Sequence, residues 1–204
     1  MNPADRTART AFTDGACSLN GAPGARAAFA AVIVGAGFDT AEVKRGQVRH
    51  TTYAFVDSGD PARGFRGTMD HIAPSNNRGE LLGIAYALLS LLQEGATGRI
   101  EIVTDSLISA QTLLQWLPDR LAKGTENRLK NLDLLMIAWR LLAALRKQAA
   151  SVGIAHVRSH QKAPQVSDPA YFHYYGNRLA DRHAARALAD TSLEFEIVRN
   201  AEMV

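Results

Sequence analysis

The sequence predicts an α/β domain built on a mixed sheet. Two observations carry this. Strand-like runs come early and are followed by helix, strand, helix, helix, strand and helix in that order. Apolar residues recur at helical spacing in the later segments, most clearly at Leu81, Leu82, Ile84, Ala85, Leu88, Leu89 and Leu92. No internal repeat and no linker interrupts the chain, and 204 residues suffice for one domain with a full core.

In chain order, residues 1–10 read as a flexible lead-in. Residues 11–14 are the end of a short strand, closed by Asp14-Gly15. Residues 18–24 (SLNGAPG) form a turn, and 27–34 (AAFAAVIV) an apolar strand. A weaker strand region covers 42–55, a loop 58–67 and a further strand 68–73, ending before Pro74. The first long helix is expected at 78–93, with Ser75, Asn76 and Asn77 as candidate N-caps and Gly95 and Gly98 beyond its end. A strand at 99–104 (RIEIVT) and a helix at 106–116, stopped near Pro118, follow. Then come a helix at 132–147, a strand at 154–157, a long polar loop at 159–176 and a helix at 178–188. The expected division is a lead-in at 1–10, one domain at 11–190 and a C-terminal extension at 191–204, read as a short strand or a docked tail.

Hydrophobic residues make up 47% and charged residues 21%, which excludes a disordered chain. No stretch approaches the roughly 20 apolar residues of a membrane-spanning helix. The first ten residues carry Asp5, Arg6 and Arg9 without an apolar block, so no secretory signal is expected. Cys17 is the single cysteine, which rules out an intrachain disulfide and fits a reducing compartment. The expected location is therefore cytoplasmic, or nuclear or organellar in a eukaryote. The net charge of +3 weakly favours a polyanionic partner.

Four acids stand out by position. Asp14 and Asp105 end apolar strands, Glu80 lies early in the apolar helix, and Asp181 lies in an Ala- and Leu-rich helix. If the two strands are neighbours, their aspartates repel and require a cation. Oxygen ligands suit Mg²⁺ or Mn²⁺, and one cysteine with no HExxH spacing disfavours soft metals. The alternative is four scattered surface acids.

These residues carry a family pattern. Phe12-Thr13-Asp14-Gly15-Ala16-Cys17, Ser75-Asn76-Asn77-Arg78-Gly79-Glu80-Leu81, Thr104-Asp105-Ser106 and Asn177-Arg178-Leu179-Ala180-Asp181 resemble, in order, the Asp–Glu–Asp–Asp segments of ribonuclease H type 1. Leu129-Lys130-Asn131-Leu132-Asp133-Leu134 resembles a later helix start of that family. Val157-Arg158-Ser159-His160 resembles its loop histidine segment. The resemblance covers residues 10 to 190.

The resemblance implies a ribonuclease H-like fold: a five-stranded mixed sheet with helices on both faces, the first and fourth strands adjacent. It implies hydrolysis of the RNA strand of an RNA–DNA hybrid by two Mg²⁺ ions, with Mn²⁺ able to substitute, giving 5′-phosphate and 3′-hydroxyl ends. Asp14, Glu80, Asp105 and Asp181 would be catalytic metal ligands, and His160 would move protons near the attacking water. Cys17, Asn20, Ser75, Asn76, Asn77 and Asn177 would track the RNA strand. Trp116, Arg120, Lys123, Arg128 and Lys130 occupy the place of the family's basic handle for the DNA strand. Residues 116–147 hold seven Lys/Arg against three acids, which suits phosphates but equally suits a solvated helix pair. Trp116 either stacks on a sugar or joins the core. No membrane and no obligate protein partner are implied, and a monomer is expected.

Three features depart from the family. Leu107 stands where the family often has Gln, removing or replacing one polar contact to RNA. The chain is longer than the simplest members at about residues 38–62 and 161–175. The second of these holds Tyr171, Phe172, Tyr174 and Tyr175, read as a loop tip that closes over the site, binds single strands or contacts a protein. Two rivals are weighed. A 3′–5′ exonuclease of the same fold usually has Asp-x-Glu on the first strand, where this chain has Asp14-Gly15-Ala16. A weak or inactive hybrid-binding scaffold would not need all four acids.

Overall fold

A computed structural model describes residues 8–35, 38, 41–48, 53–54, 66–67, 73–159 and 161–199. Its strands are β1 (Arg9–Ser18), β2 (Arg26–Val34), β3 (Glu42–Val48), β4 (Tyr53–Ala54), β5 (Arg66–Gly67), β6 (Arg99–Thr104), β7 (Ser151–His156) and β8 (Phe195–Arg199). Its α-helices are α1 (Asn76–Gln93), α2 (Leu107–Gln111), α3 (Leu117–Ala122), α4 (Leu132–Gln148) and α5 (Ala170–Ala189).

The main sheet has the order β7-β6-β1-β2-β3-β8, while β4 and β5 pair separately. β1 runs parallel to β6 and antiparallel to β2, so the sheet is mixed. It has six strands rather than the expected five. The sixth is β8, which the 191–204 extension contributes antiparallel to β3. Gly46 permits this docking, because a Cβ there would lie 3.3 Å from Phe195 Cα.

Helices cover both faces, as expected. α1 and α4 bury Leu82, Ile84, Leu88, Leu141 and Leu142 against Phe29, Ile33, Ile100 and Ile102. α5 buries Leu179 and Ala180 against Phe12, Val32 and Val103 on the opposite face. β2 is buried along nearly its whole length, which explains its unbroken apolar run. No helix among the described residues is long and apolar enough to cross a membrane.

Several boundaries differ from expectation. β1 does not close at Asp14-Gly15 but continues to Ser18, because its pairing with β2 runs on to Ser18↔Arg26. The helix after β6 does not stop near Pro118. A π-helical turn at Thr112–Trp116 links α2 to α3, and Pro118 sits in the first turn of α3. Trp116 and Leu117 keep helical backbone angles, so the run is continuous, and the missing N–H of Pro118 falls beside a π turn, the kind of irregularity at which a helix accommodates a break in its ladder. β7 is Ser151–His156 rather than 154–157. α5 begins at Ala170, so Tyr171, Phe172, Tyr174 and Tyr175 are helical and not a loop tip. The expected strand at 68–73 and most of the insertion at 38–62 lie outside the described residues, as do residues 1–7.

Candidate active site

The parallel register of β1 and β6 ends at Thr13↔Thr104. Asp14 and Asp105 are the next residue of each strand line. They therefore emerge together where the β6 ladder stops. Both follow residues that face α5, Phe12 and Val103, so the two-residue alternation turns them toward that helix. Glu80 comes from α1 on the other face. It reaches the aspartates because Gly15 has no side chain: a Cβ there would lie 2.7 Å from the Gly79 carbonyl carbon and 2.9 Å from Asn76 O. Ser75 caps α1, its Oγ accepting from Arg78 N at 3.4 Å, which fixes the start of the helix.

Ligand oxygens of Asp14, Glu80 and Asp105 all lie within 4.8 Å of one another. Asp14 and Glu80 are buried and Asp105 is half-buried. Burial, then the field of Asp105, pushes the Asp14 carboxyl well above the usual carboxylate range, although Gly15 N donates to its Oδ1 at 2.8 Å. Burial, then the fields of Asp14 and Asp105, pushes Glu80 up still further. Asn76 Nδ2 donates to Glu80 Oε1 at 3.3 Å, whereas Glu80 Oε2 is buried with no hydrogen-bond partner. Asn177 Nδ2 donates to Asp105 Oδ2 at 3.4 Å. Asp181, four residues further along α5, is exposed and lies outside the close triad but lines the same cleft.

An all-carboxylate triad with an unsatisfied buried oxygen fits a hard divalent cation. The four expected acids thus divide into three that touch and a fourth that faces them. The cleft, about 860 Å³, is also lined by His173, whose Nε2 lies 3.0 Å from Glu101 Oε2. His160 lies outside the described residues.

The expected substrate-contacting residues fall into two groups. Cys17, Asn20 and Asn76 adjoin: Cys17 Sγ donates to Asn20 Oδ1 at 3.7 Å, which also accepts from Asn76 N at 3.2 Å. Asn77, the neighbour of Asn76, is exposed. Ser75 is engaged in capping, as one of the three N-cap candidates, and Asn177 in holding Asp105, a use that spacing alone did not reveal. Trp116, Arg120 and Lys123 line a second groove of about 580 Å³. Trp116 is 44% exposed, which excludes the core alternative. Arg128 ends a 3-10 turn, Glu126–Arg128, and Lys130 is exposed just before α4.

The sequence profile of the ribonuclease H family matches residues 6–189. No functionally curated protein is similar enough in sequence to match. Among solved structures, LC9-RNase H1, a type 1 RNase H with the type 2 active-site motif, is 18% identical with a TM-score of 0.60, over 94% of this chain and 77% of that one. The RNase H domain of prototype foamy virus is 17% identical with a TM-score of 0.57, over 89% and 94%. The foamy viral protease–reverse transcriptase in complex with RNA/DNA hybrid is 16% identical with a TM-score of 0.56, over 92% of this chain and 21% of that one. At these identities the structural likeness carries the fold.

Proposed function

The chain belongs to the ribonuclease H family, and from that premise we propose that it cuts the RNA strand of RNA–DNA hybrids endonucleolytically, leaving 5′-phosphate and 3′-hydroxyl ends. The observation that carries this reading is the Asp14–Glu80–Asp105 triad, whose buried Glu80 Oε2 has no hydrogen-bond partner among the described residues.

Asp14, Glu80 and Asp105 would hold divalent cations, with Asp181 completing the set from α5. Two Mg²⁺ ions, or Mn²⁺ in their place, would there supply Lewis-acid stabilisation of an in-line displacement. The protein's own part is placement. Asn76 orients Glu80, Gly15 N–H orients Asp14, and Asn177 orients Asp105. His160 is assigned to proton transfer by the family pattern alone.

Recognition would divide between the two groups of contacts. The Cys17, Asn20 and Asn76 cluster adjoins the triad through Asn76 and suits 2′-hydroxyl and sugar contacts on the RNA strand. The Trp116, Arg120 and Lys123 groove, with Arg128 and Lys130 near it, suits the phosphates of the DNA strand. The reading is of a protein that acts as a monomer.

The test is cleavage of matched hybrid, RNA duplex and DNA duplex with Mg²⁺ and with a chelator. Hybrid alone should be cut, only with metal, and the fragments should carry 5′-phosphates. Preference for single-stranded DNA, or undiminished cleavage in chelator, would overturn the reading.

A further inference from the structure

The cleft that holds the carboxylates is also lined by three cations, Arg158, Lys162 and Arg178. Arg158 is fixed by the sheet. Val157 N donates to Thr104 O at 3.0 Å, extending the β6–β7 ladder by one residue. Gln161 Nε2 donates to the Arg158 carbonyl at 2.7 Å. Arg178 is fixed from α5. Its Nη1 donates to Tyr174 OH at 3.0 Å, and its guanidinium carbon lies 5.9 Å from the centre of that ring. Tyr174 lines the same cleft.

All three cations are exposed, and among the described residues none forms an ion pair with an acidic side chain. Arg178 feels the charge of Asp181 without bonding to it. Solvated charges of this kind add little stability. Apart from the Arg178 Nη1 bond to Tyr174, no side-chain hydrogen bond to another described residue engages their donors, and a fork-shaped guanidinium matches phosphate oxygens.

We propose that Arg158, Lys162 and Arg178, with Tyr174 against the adjoining sugar or base, form a phosphate subsite for the strand being cut. The proposal rests on the hybrid-nuclease reading. The three cations share one cleft with the carboxylates, so the strand whose phosphodiester meets the acids passes over them. The Trp116, Arg120 and Lys123 groove is a separate depression and would meet the other strand.

The test compares hybrid binding by Asp14→Asn, a background that does not cleave, with the same protein carrying Arg158→Ala, Lys162→Ala and Arg178→Ala. Affinity should fall at least tenfold, and the slope of log K against log salt should flatten by about 2. Neutral methylphosphonates in the RNA strand beside the cut should weaken the parent and leave the triple variant unaffected. An unchanged salt slope, or sensitivity that tracks methylphosphonates in the DNA strand, overturns the subsite. Arg178→Ala alone gives the same comparison should the triple variant fail to fold, with a slope change of about 0.7 to 0.9. If wild type cuts hybrid while the triple variant binds like its parent, only the subsite falls. If wild type cuts no hybrid in Mg²⁺, the nuclease reading falls.

Discussion

The guanidinium of Arg78 grips the carboxylate of Asp133 with two bonds, Nη2 to Oδ2 at 2.7 Å and Nη1 to Oδ1 at 3.2 Å. The same Nη1 reaches Asn131 Oδ1 at 3.2 Å. Arg78 is 1% exposed and lies two residues before Glu80, while Asn131 holds a left-handed backbone at φ 57° just ahead of α4. One buried cation therefore ties the catalytic end of α1 to the start of α4, where the basic segment ends. Arg78→Met should cost about 3 to 5 kcal/mol in urea unfolding, because it leaves Asp133 without its partner. Arg78→Lys should rescue only part, since an ammonium cannot form the fork. A loss under 1 kcal/mol for Arg78→Met would show that the pair is incidental.

Gly15 is a site of close approach and not a turn. A Cβ there would meet the backbone of Asn76, Gly79 and Glu80, and backbone cannot rotate away. Gly15→Ala should force α1 off β1 and cost about 1 to 3 kcal/mol. Because Glu80 moves with the helix, cleavage should fall about 100-fold or more even where the protein stays folded. Paired thermal melts and rates at saturating hybrid measure both, and full activity in this variant would contradict the packing.

The carboxylate cluster opposes folding of the metal-free protein. Asp14 and Glu80 have folded-state pKa values above their unfolded ones. Their contribution is therefore greatest when they are protonated and is lost as pH rises through the folded values. Metal-free protein should gain stability on going from pH 8 to 6.5, and Mg²⁺ should raise the melting temperature most at the upper end. Asp14→Asn should abolish hydrolysis, raise the metal-free melting temperature at pH 8 and shrink the Mg²⁺ response. A melting temperature indifferent to Mg²⁺ in wild type would remove the metal site.

The basic segment is tested by charge reversal. Arg120→Glu, Lys123→Glu and Arg128→Glu together should weaken hybrid binding and flatten its dependence on salt, by about 2 to 3 in the slope if all three meet phosphates. Trp116→Ala should weaken binding with little change in slope, because an exposed ring contributes contact and no charge. An unaltered slope in the triple reversal would leave these cations merely solvated.

The fold was legible where periodicity is strong. α1, α4 and β6 stand close to their expected bounds, since each presents a clean apolar pattern to one side of the sheet or buries almost every residue. α5 was placed eight residues late (178 − 170), because Pro169, Gly176 and the aromatic run read as loop. In the structure Asp168 Oδ1 accepts from Ala170 N at 2.8 Å, and Gly176 is where the helix rests on the Phe12 ring. The first is a local bond at the helix start, and the second is a tertiary contact that a local pattern does not display. Of the site, the triad was legible through motif order and strand ends. The His173–Glu101 pair, the buried Arg78 and the Asn177–Asp105 contact were not. Each joins residues at least 50 positions apart, with separations of 72, 55 and 72.

His183 supplies an acid-sensitive element away from the cleft. It is 2% exposed and lies under β3, its Nδ1 2.9 Å from Arg45 Nη1. A guanidinium can only donate, so Nδ1 accepts and the ring proton sits on Nε2, which is buried without a partner. Burial, with Arg45, Arg186 and Arg182 nearby, lowers the imidazole from 6.5 to about 4, and Glu196 offsets this only in part. Glu196 also pairs with Arg45, so the same cluster holds β8 to β3. The ring is neutral in the folded protein and charges on unfolding below pH 6.5. Its contribution is present above 6.5 and is lost progressively as pH falls toward about 4. The full loss corresponds to about 3 kcal/mol. Below pH 6.5 this offsets part of what the carboxylate cluster gains on protonation. His183→Gln keeps an acceptor for Arg45 and cannot titrate in this range. Relative to wild type, it should hold its stability between pH 6.5 and 4, with the difference between the two growing as pH falls. Urea unfolding at half-unit steps, with β8 followed by amide exchange at Glu196 and Ile197, measures both parts. Parallel curves for the two proteins across that window would show that His183 does not set the acid limit.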